Sequence, residues 1–177
     1  MKTLLTKDNK EVLIREIKPD DAESSIRFSK QIFGLPTVLT TLNEFNQTVE
    51  SQTKWIQSFD KSQTKFALVG IHNKEVVGLL DFSTSNRERL KHGGAFGVSV
   101  LPEFQNNGIA RAMIKLLLEW ASKSPLVEKV VLKVSSNNPK AVKLYQSLGF
   151  VEEGRMTKEI KLEDGTYVDT IVMAQFV

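Results

Sequence analysis

This chain of 177 residues contains no cysteine. That removes disulfides, a thiol nucleophile and zinc–thiolate sites together. Its two histidines are too few for a multi-histidine metal centre. An excess of one charge sign is also missing. Lys and Arg number 24 against 21 Asp and Glu, so 24 − 21 leaves a formal charge of +3. Such a balance does not suggest nucleic acid, although it tolerates a polyanionic small molecule beside a local basic patch. No window approaches the apolar length that crosses a bilayer. The segment Met1–Asp8 has no apolar core of the signal-peptide kind. No internal repeat or low-complexity linker appears. What remains is ordinary for a globular protein, with 41% hydrophobic and 25% charged residues. The expectation is one domain over residues 1–177, a cytoplasmic enzyme or binding module with a real core.

Val12–Ile17 is short, apolar and β-branched, and predicts a strand. Pro19-Asp-Asp opens a helix to about Phe33, with Gly34 as its stop. Thr41-Leu-Asn-Glu44 has the capping-box pattern and predicts a second helix to about Phe59. Lys65–His72 and Glu75–Ser83 are strand-like, joined at Asn73-Lys74. Gly93–Leu101 predicts a strand, 106–123 the central helix, and Val127–Ser135 another strand. Asn138, Pro139 and Gly149 cap, start and end a short helix. Phe150–Leu162 and Tyr167–Phe176 form a hairpin about Asp164-Gly165. The order β-α-α-β-β-β-α-β-α-β-β implies an α/β fold, a mixed sheet with helices on both faces.

Two stretches carry chemistry. Val98-Ser-Val100-Leu-Pro102 is a strand end. It leads through Gln105-Asn106-Asn107-Gly108-Ile109-Ala110-Arg111 into an apolar helix. A strand–loop–helix of this kind aims backbone N–H groups at one point, at the positive end of a helix dipole. That suits a phosphate or pyrophosphate. In the strand before it, Phe96, Val98 and Val100 share one face, while Ala95, Gly97 and Ser99 share the other and are small. Either a helix packs closely on that bare face or a ligand lies along it. The second stretch is Asn138-Pro-Lys-Ala141-Val-Lys-Leu-Tyr145-Gln-Ser-Leu-Gly149-Phe150.

In this order and spacing, the chain resembles the GNAT superfamily of acetyl-CoA-dependent N-acetyltransferases over about residues 12–177. Gln105-x-x-Gly108-x-Ala110 fits the family's Gln/Arg-x-x-Gly-x-Gly/Ala signature. The resemblance implies a GNAT fold with a mostly antiparallel central sheet. It implies acetyl-CoA as cosubstrate, and no metal. Backbone N–H groups from Gln105 to Arg111 would hold the pyrophosphate, with Gly108 allowing close approach. Arg111 and Lys115 could add positive charge, or Lys115 could simply be solvated. The backbone of Val98 and Val100 would pair with the pantetheine amides, and the strand at 127–135 would splay away. Asn138 would cap its helix and could also reach the pantetheine arm. Tyr145 would act as general acid. A thiol near pKa 8.5 leaves as thiolate, and a phenol near 10 can hydrogen-bond to it or protonate it.

The strand glutamate that many relatives use as base is replaced by Ala95. His92, at the start of the same strand, is the candidate base that the sequence offers, since its reference pKa near 6.5 suits the role. Asp81, Glu152 and Glu44 are further candidates, and a water chain needs no dedicated base. By resemblance, Phe33–Phe45 would form one acceptor wall and the hairpin with Tyr167 and Asp169 another. Asp169 could attract an ammonium or pair with Arg155 or Lys158. The apolar Phe33, Leu35, Val38 and Leu39 suit an acceptor with an apolar portion. The function implied is direct acetyl transfer to the primary amine of a small molecule, such as an amino acid. Protein N-terminal acetylation and a non-catalytic acyl-CoA-binding module are the alternatives. The expected partner is a small-molecule amine, not nucleic acid or membrane, with a homodimer left open.

Overall fold

The computed structural model describes residues 1–35, 38 and 40–177. Eight strands form one sheet: β1 (Lys2–Leu5), β2 (Glu11–Glu16), β3 (Lys65–His72), β4 (Glu75–Thr84), β5 (Gly93–Val100), β6 (Lys129–Ser135), β7 (Val151–Lys161) and β8 (Tyr167–Phe176). Their spatial order is β1-β2-β3-β4-β5-β6-β8-β7. Every pairing is antiparallel except β5 with β6. Four helices complete the fold: α1 (Ala22–Phe33), α2 (Val49–Gln57), α3 (Ile109–Lys123) and α4 (Pro139–Gln146). Among the described residues, no helix is long and apolar enough to cross a membrane.

α3 is held by its apolar stripe. Ile109, Met113, Ile114, Leu117 and Ala121 are buried at helical spacing. Trp120 of the same helix stacks on Phe66 of β3, with centroids 4.9 Å apart, and meets Phe82 of β4 edge-on at 5.6 Å. α4 reaches the same face, because Tyr145 packs against Phe96 and Phe150. α1 and α2 cover the first half of the sheet from the other side. Ser24 of α1 donates to Glu75 and accepts from the Val76 amide, and Gln52 of α2 donates to Ser25. The β3–β4 turn has positive φ at both Asn73 and Lys74, the conformation that matches hairpin twist.

Two elements differ from the sequence expectation. β1 was not foreseen, since Lys2–Leu5 is a mostly exposed edge strand without an alternating apolar pattern. The second helix begins at Val49, not near Thr41. The box at Thr41 does form, with Glu44 accepting from the Thr41 amide at 2.7 Å, but it caps only a 3-10 turn over Leu42–Glu44. Phe45 then turns extended, and its ring packs edge-on against Phe33 at 5.0 Å, so the chain leaves the helical path. Thr48, accepting from the Ser51 amide, is the true cap.

Candidate active site

The site begins where a ladder stops. β5 and β6 pair only at Gly93–Lys129, Gly94–Val130 and Ala95–Val131. Past Ala95 the two strands part. The Leu101 amide donates to the Val77 carbonyl. Antiparallel alternation therefore turns the backbone of Ser99 and Gly97 toward β4, and that of Val100 and Val98 toward the gap. An extended ligand with amides could continue the sheet there. One acceptor is already engaged, since Gln105 Nε2 donates to the Val100 carbonyl at 3.0 Å. Among the described residues, Val98 keeps both backbone groups free and Val100 its N–H.

A cleft of about 450 Å³ opens beside this half of β5. Val98, Ser99 and Val100 form its floor, and Ile32, Leu35 and Val38 one side. The α3 entrance, from Gln105 to Arg111, closes one end, with Asn107 alone not lining it. Asn138, Lys140 and Tyr145 of the α4 segment stand across from that wall. Ala95 and Gly97 are exposed, so no helix covers the bare face of β5 at these positions.

The loop entering α3 has a backbone that suits an anion. Asn106 and Gly108 both have positive φ, 60° and 79°, which turns successive N–H groups inward. Among the described residues, the backbone N–H groups of 106–111 donate to no protein acceptor. The first helical bond is Ala112 N–H to the Gly108 carbonyl. A Cβ built on Gly108 meets nothing within 4 Å, so that side is open space. Arg111 is steered by a 2.7 Å bond to Ser147 of the α4 end, whereas Lys115 is exposed and outside the cleft. Asn107 braces the loop. Its Nδ2 donates to the Phe104 and Gln105 carbonyls, and its Oδ1 accepts from the Lys7 amide. Lys140 lies inside the second stretch but was not singled out from the sequence. Its place in the first turn of α4, two residues after the cap, is the signal that could have found it. These unpaired N–H groups, the open side of Gly108 and two cations fit the pyrophosphate of coenzyme A.

Tyr145 is buried among Phe96 and Phe150 yet lines the cleft. Burial pushes its phenol up to about 12, so it stays protonated. No described protein group hydrogen-bonds its hydroxyl. Asn138 caps α4, its Oδ1 accepting from the Ala141 amide at 3.1 Å, with Nδ2 left for a ligand. The base candidates separate. His92 is exposed at the paired end of β5, outside the cleft lining, and its carbonyl accepts from the Glu128 and Lys129 amides. Glu44 is held by Thr41, and those hydrogen bonds lower its pKa. Glu152 lies 3.5 Å from Arg155. Asp81 is half-buried, and burial alone pushes its carboxyl above the usual range. Asp169 accepts from the Lys158 amide at 2.9 Å and lies 3.5 Å from Arg155. Both contacts tie it to the β7–β8 hairpin. Tyr167 is exposed beneath Lys158 and Lys161. Of the expected apolar wall, Leu35 and Val38 line the cleft with Ile32, and Phe33 packs on Phe45. Leu39 lies outside the described residues.

Known proteins are similar to this chain in sequence and in fold. An L-amino acid N-acetyltransferase of Escherichia coli (strain K12) is 29% identical over 165 residues, covering 93% of this chain and 98% of its own. A spermidine N(1)-acetyltransferase of Vibrio cholerae serotype O1 is 32% identical over 125 residues, covering 71% and 69%. The crystal structure of a GNAT-family acetyltransferase from Streptococcus pneumoniae superposes with a TM-score of 0.89 at 25% identity. It covers 94% of this chain and 99% of that one. The profile of the Acetyltransferase (GNAT) family matches residues 35–150, the stretch that contains the splayed strand, the anion loop and Tyr145. The chain therefore belongs to the GNAT family of acetyltransferases.

Proposed function

We propose that this protein transfers the acetyl group of acetyl-CoA directly to the primary amine of a small molecule, an amino acid or a related amine. One observation carries the proposal. Asn106 and residues 108–111 with their unpaired N–H groups, Val98 with its open backbone edge, and Tyr145 line a single cleft. The diphosphate sits on the amides, with Arg111 and Lys140 offsetting its charge. The pantetheine arm lies along β5, so the thioester comes to Tyr145. There the amine nitrogen attacks the thioester carbon and the C–S bond breaks toward sulfur. The Tyr145 hydroxyl donates to the sulfur as charge develops. With no cysteine in the chain, no thiol carries the acetyl group between the two substrates.

The apolar side formed by Ile32, Leu35 and Val38 suits an acceptor with an apolar portion. The names of the two relatives, one acting on L-amino acids and one on spermidine, support small amines over peptides. An amine panel tests this. Release of free coenzyme A from acetyl-CoA is followed with amino acids, polyamines and N-terminal peptides. Turnover is expected with members of the small-amine set. Turnover on peptides alone moves the acceptor to a protein N-terminus. Tight coenzyme A binding with no thioester cleavage reduces the protein to a binding module.

A further inference from the structure

Ala95 leaves β5 without a carboxylate, yet one reaches the same face of the sheet from the neighbouring strand. Asp81 of β4 pairs in register with Gly97 of β5. A Cβ built on Gly97 would lie 3.7 Å from Asp81 Oδ1, so the carboxylate leans over the place where β5 has no side chain. Ser99, the next residue on that face, lines the cleft, although Asp81 and Gly97 themselves lie outside its lining. Gly97 also lies just beyond Ala95, the last residue paired with β6, where the gap opens. Among the described residues, Asp81 has no hydrogen-bond or ion-pair partner. A half-buried carboxylate left unpartnered costs stability, and a fold without a use for it would lose nothing by replacing it. The other candidates are engaged or remote: Glu44 by Thr41, Glu152 by Arg155, and His92 at the closed end of β5.

We infer that Asp81 is the general base of the acetyl transfer, receiving the acceptor's ammonium over Gly97 and taking the proton that frees its lone pair. The inference rests on the acetyltransferase reading above. The ammonium gives one proton to an Asp81 oxygen and becomes a neutral amine. Its nitrogen bonds to the thioester carbon, and the C–S electron pair goes to sulfur. Tyr145 passes its proton to sulfur, and the nitrogen's second proton restores the phenol. Asp81 releases its proton to water. An ammonium and a thioester thus become an amide, a thiol and one free proton.

Asp81→Asn keeps the shape and cannot take the proton. For an amine that is fully protonated at the assay pH, kcat/KM should fall on the order of a hundredfold. Coenzyme A affinity by calorimetry should be unchanged. For a fluorinated analogue of the same amine, already neutral at that pH, the deficit should shrink to within about fivefold, because no base is then needed. Since the carboxylate is uncompensated, Asp81→Asn should also melt no lower than the wild type. Asp81→Ser serves if the amide does not fold. His92→Gln should stay within about twofold of the wild-type rate. Equal deficits for both amines would make Asp81 structural and overturn the inference. A loss under about threefold in Asp81→Asn, or a hundredfold loss confined to His92→Gln, would also overturn it. An absence of turnover by the wild type on any amine would overturn the acetyltransferase reading with it.

Discussion

Tyr145→Phe should leave acetyl-CoA binding intact and lower kcat on the order of a hundredfold or more. The ring would be kept, and with it the packing against Phe96 and Phe150 that holds α4 to the sheet. The hydroxyl has no described protein partner, so deleting it breaks no internal hydrogen bond. The melting temperature should not fall. What is lost is a donor aimed into the cleft. Its value lies in the transition state, where sulfur gathers charge, and not in the ground state. The loss should therefore appear in kcat, with KM for acetyl-CoA little changed. With its phenol pushed up to about 12 by burial, Tyr145 is protonated throughout the neutral range. Deleting it should remove no acidic or neutral limb from the pH–rate profile. A fall in kcat of less than about threefold would return Tyr145 to the core as a packing residue.

The anion loop was legible in the sequence because its signal is local. Gln105-x-x-Gly108 between an apolar strand and an apolar helix specifies a backbone path, and both left-handed residues fall inside it. Tyr145 was legible for a related reason. Asn138 and Pro139 fix the start of α4, and seven residues from the cap places the ring back on the sheet. The alternation along β5 also translated directly, with Phe96 and Val100 buried and Ala95 and Gly97 bare. What the sequence misplaced or left open was set by tertiary contact. Thr41–Glu44 satisfies its local capping rule, yet Phe45 turns extended and packs on Phe33, a contact distant in sequence. Asp81 is one of several base candidates in the sequence, because nothing in its neighbours along an ordinary apolar strand sets it apart. Its setting is made by Gly97, sixteen residues on, through the register of β4 with β5. His92 was attractive by strand identity, but the structure puts it at the paired end of β5. Lys140 and the bond from Gln105 to the Val100 carbonyl likewise depend on how α4 and the loop close over β5.

Gly108→Val should weaken coenzyme A binding about a hundredfold, or about 2.8 kcal/mol, while the protein stays folded. Two effects act at this position and can be separated. The first is conformational. Gly108 sits at φ 79° and ψ 4° as the residue before α3, a left-handed geometry that a β-branched side chain resists. The second is steric toward the ligand only. Apart from its chain neighbours, no described residue lies within 4 Å of an added Cβ, so the first carbon of the new side chain enters open space. Any loss of affinity beyond the strain would then come from bulk placed between the loop and a pyrophosphate seated on it. Gly108→Ala shares much of the strain and little of the bulk. Comparing the two by thermal melting and by calorimetry with coenzyme A apportions the effects. Strain lowers the melting temperature of both variants. Blockage lowers affinity far more in valine than in alanine. If the valine variant is folded by circular dichroism and binds coenzyme A as the wild type does, the loop at 105–111 is not the pyrophosphate seat.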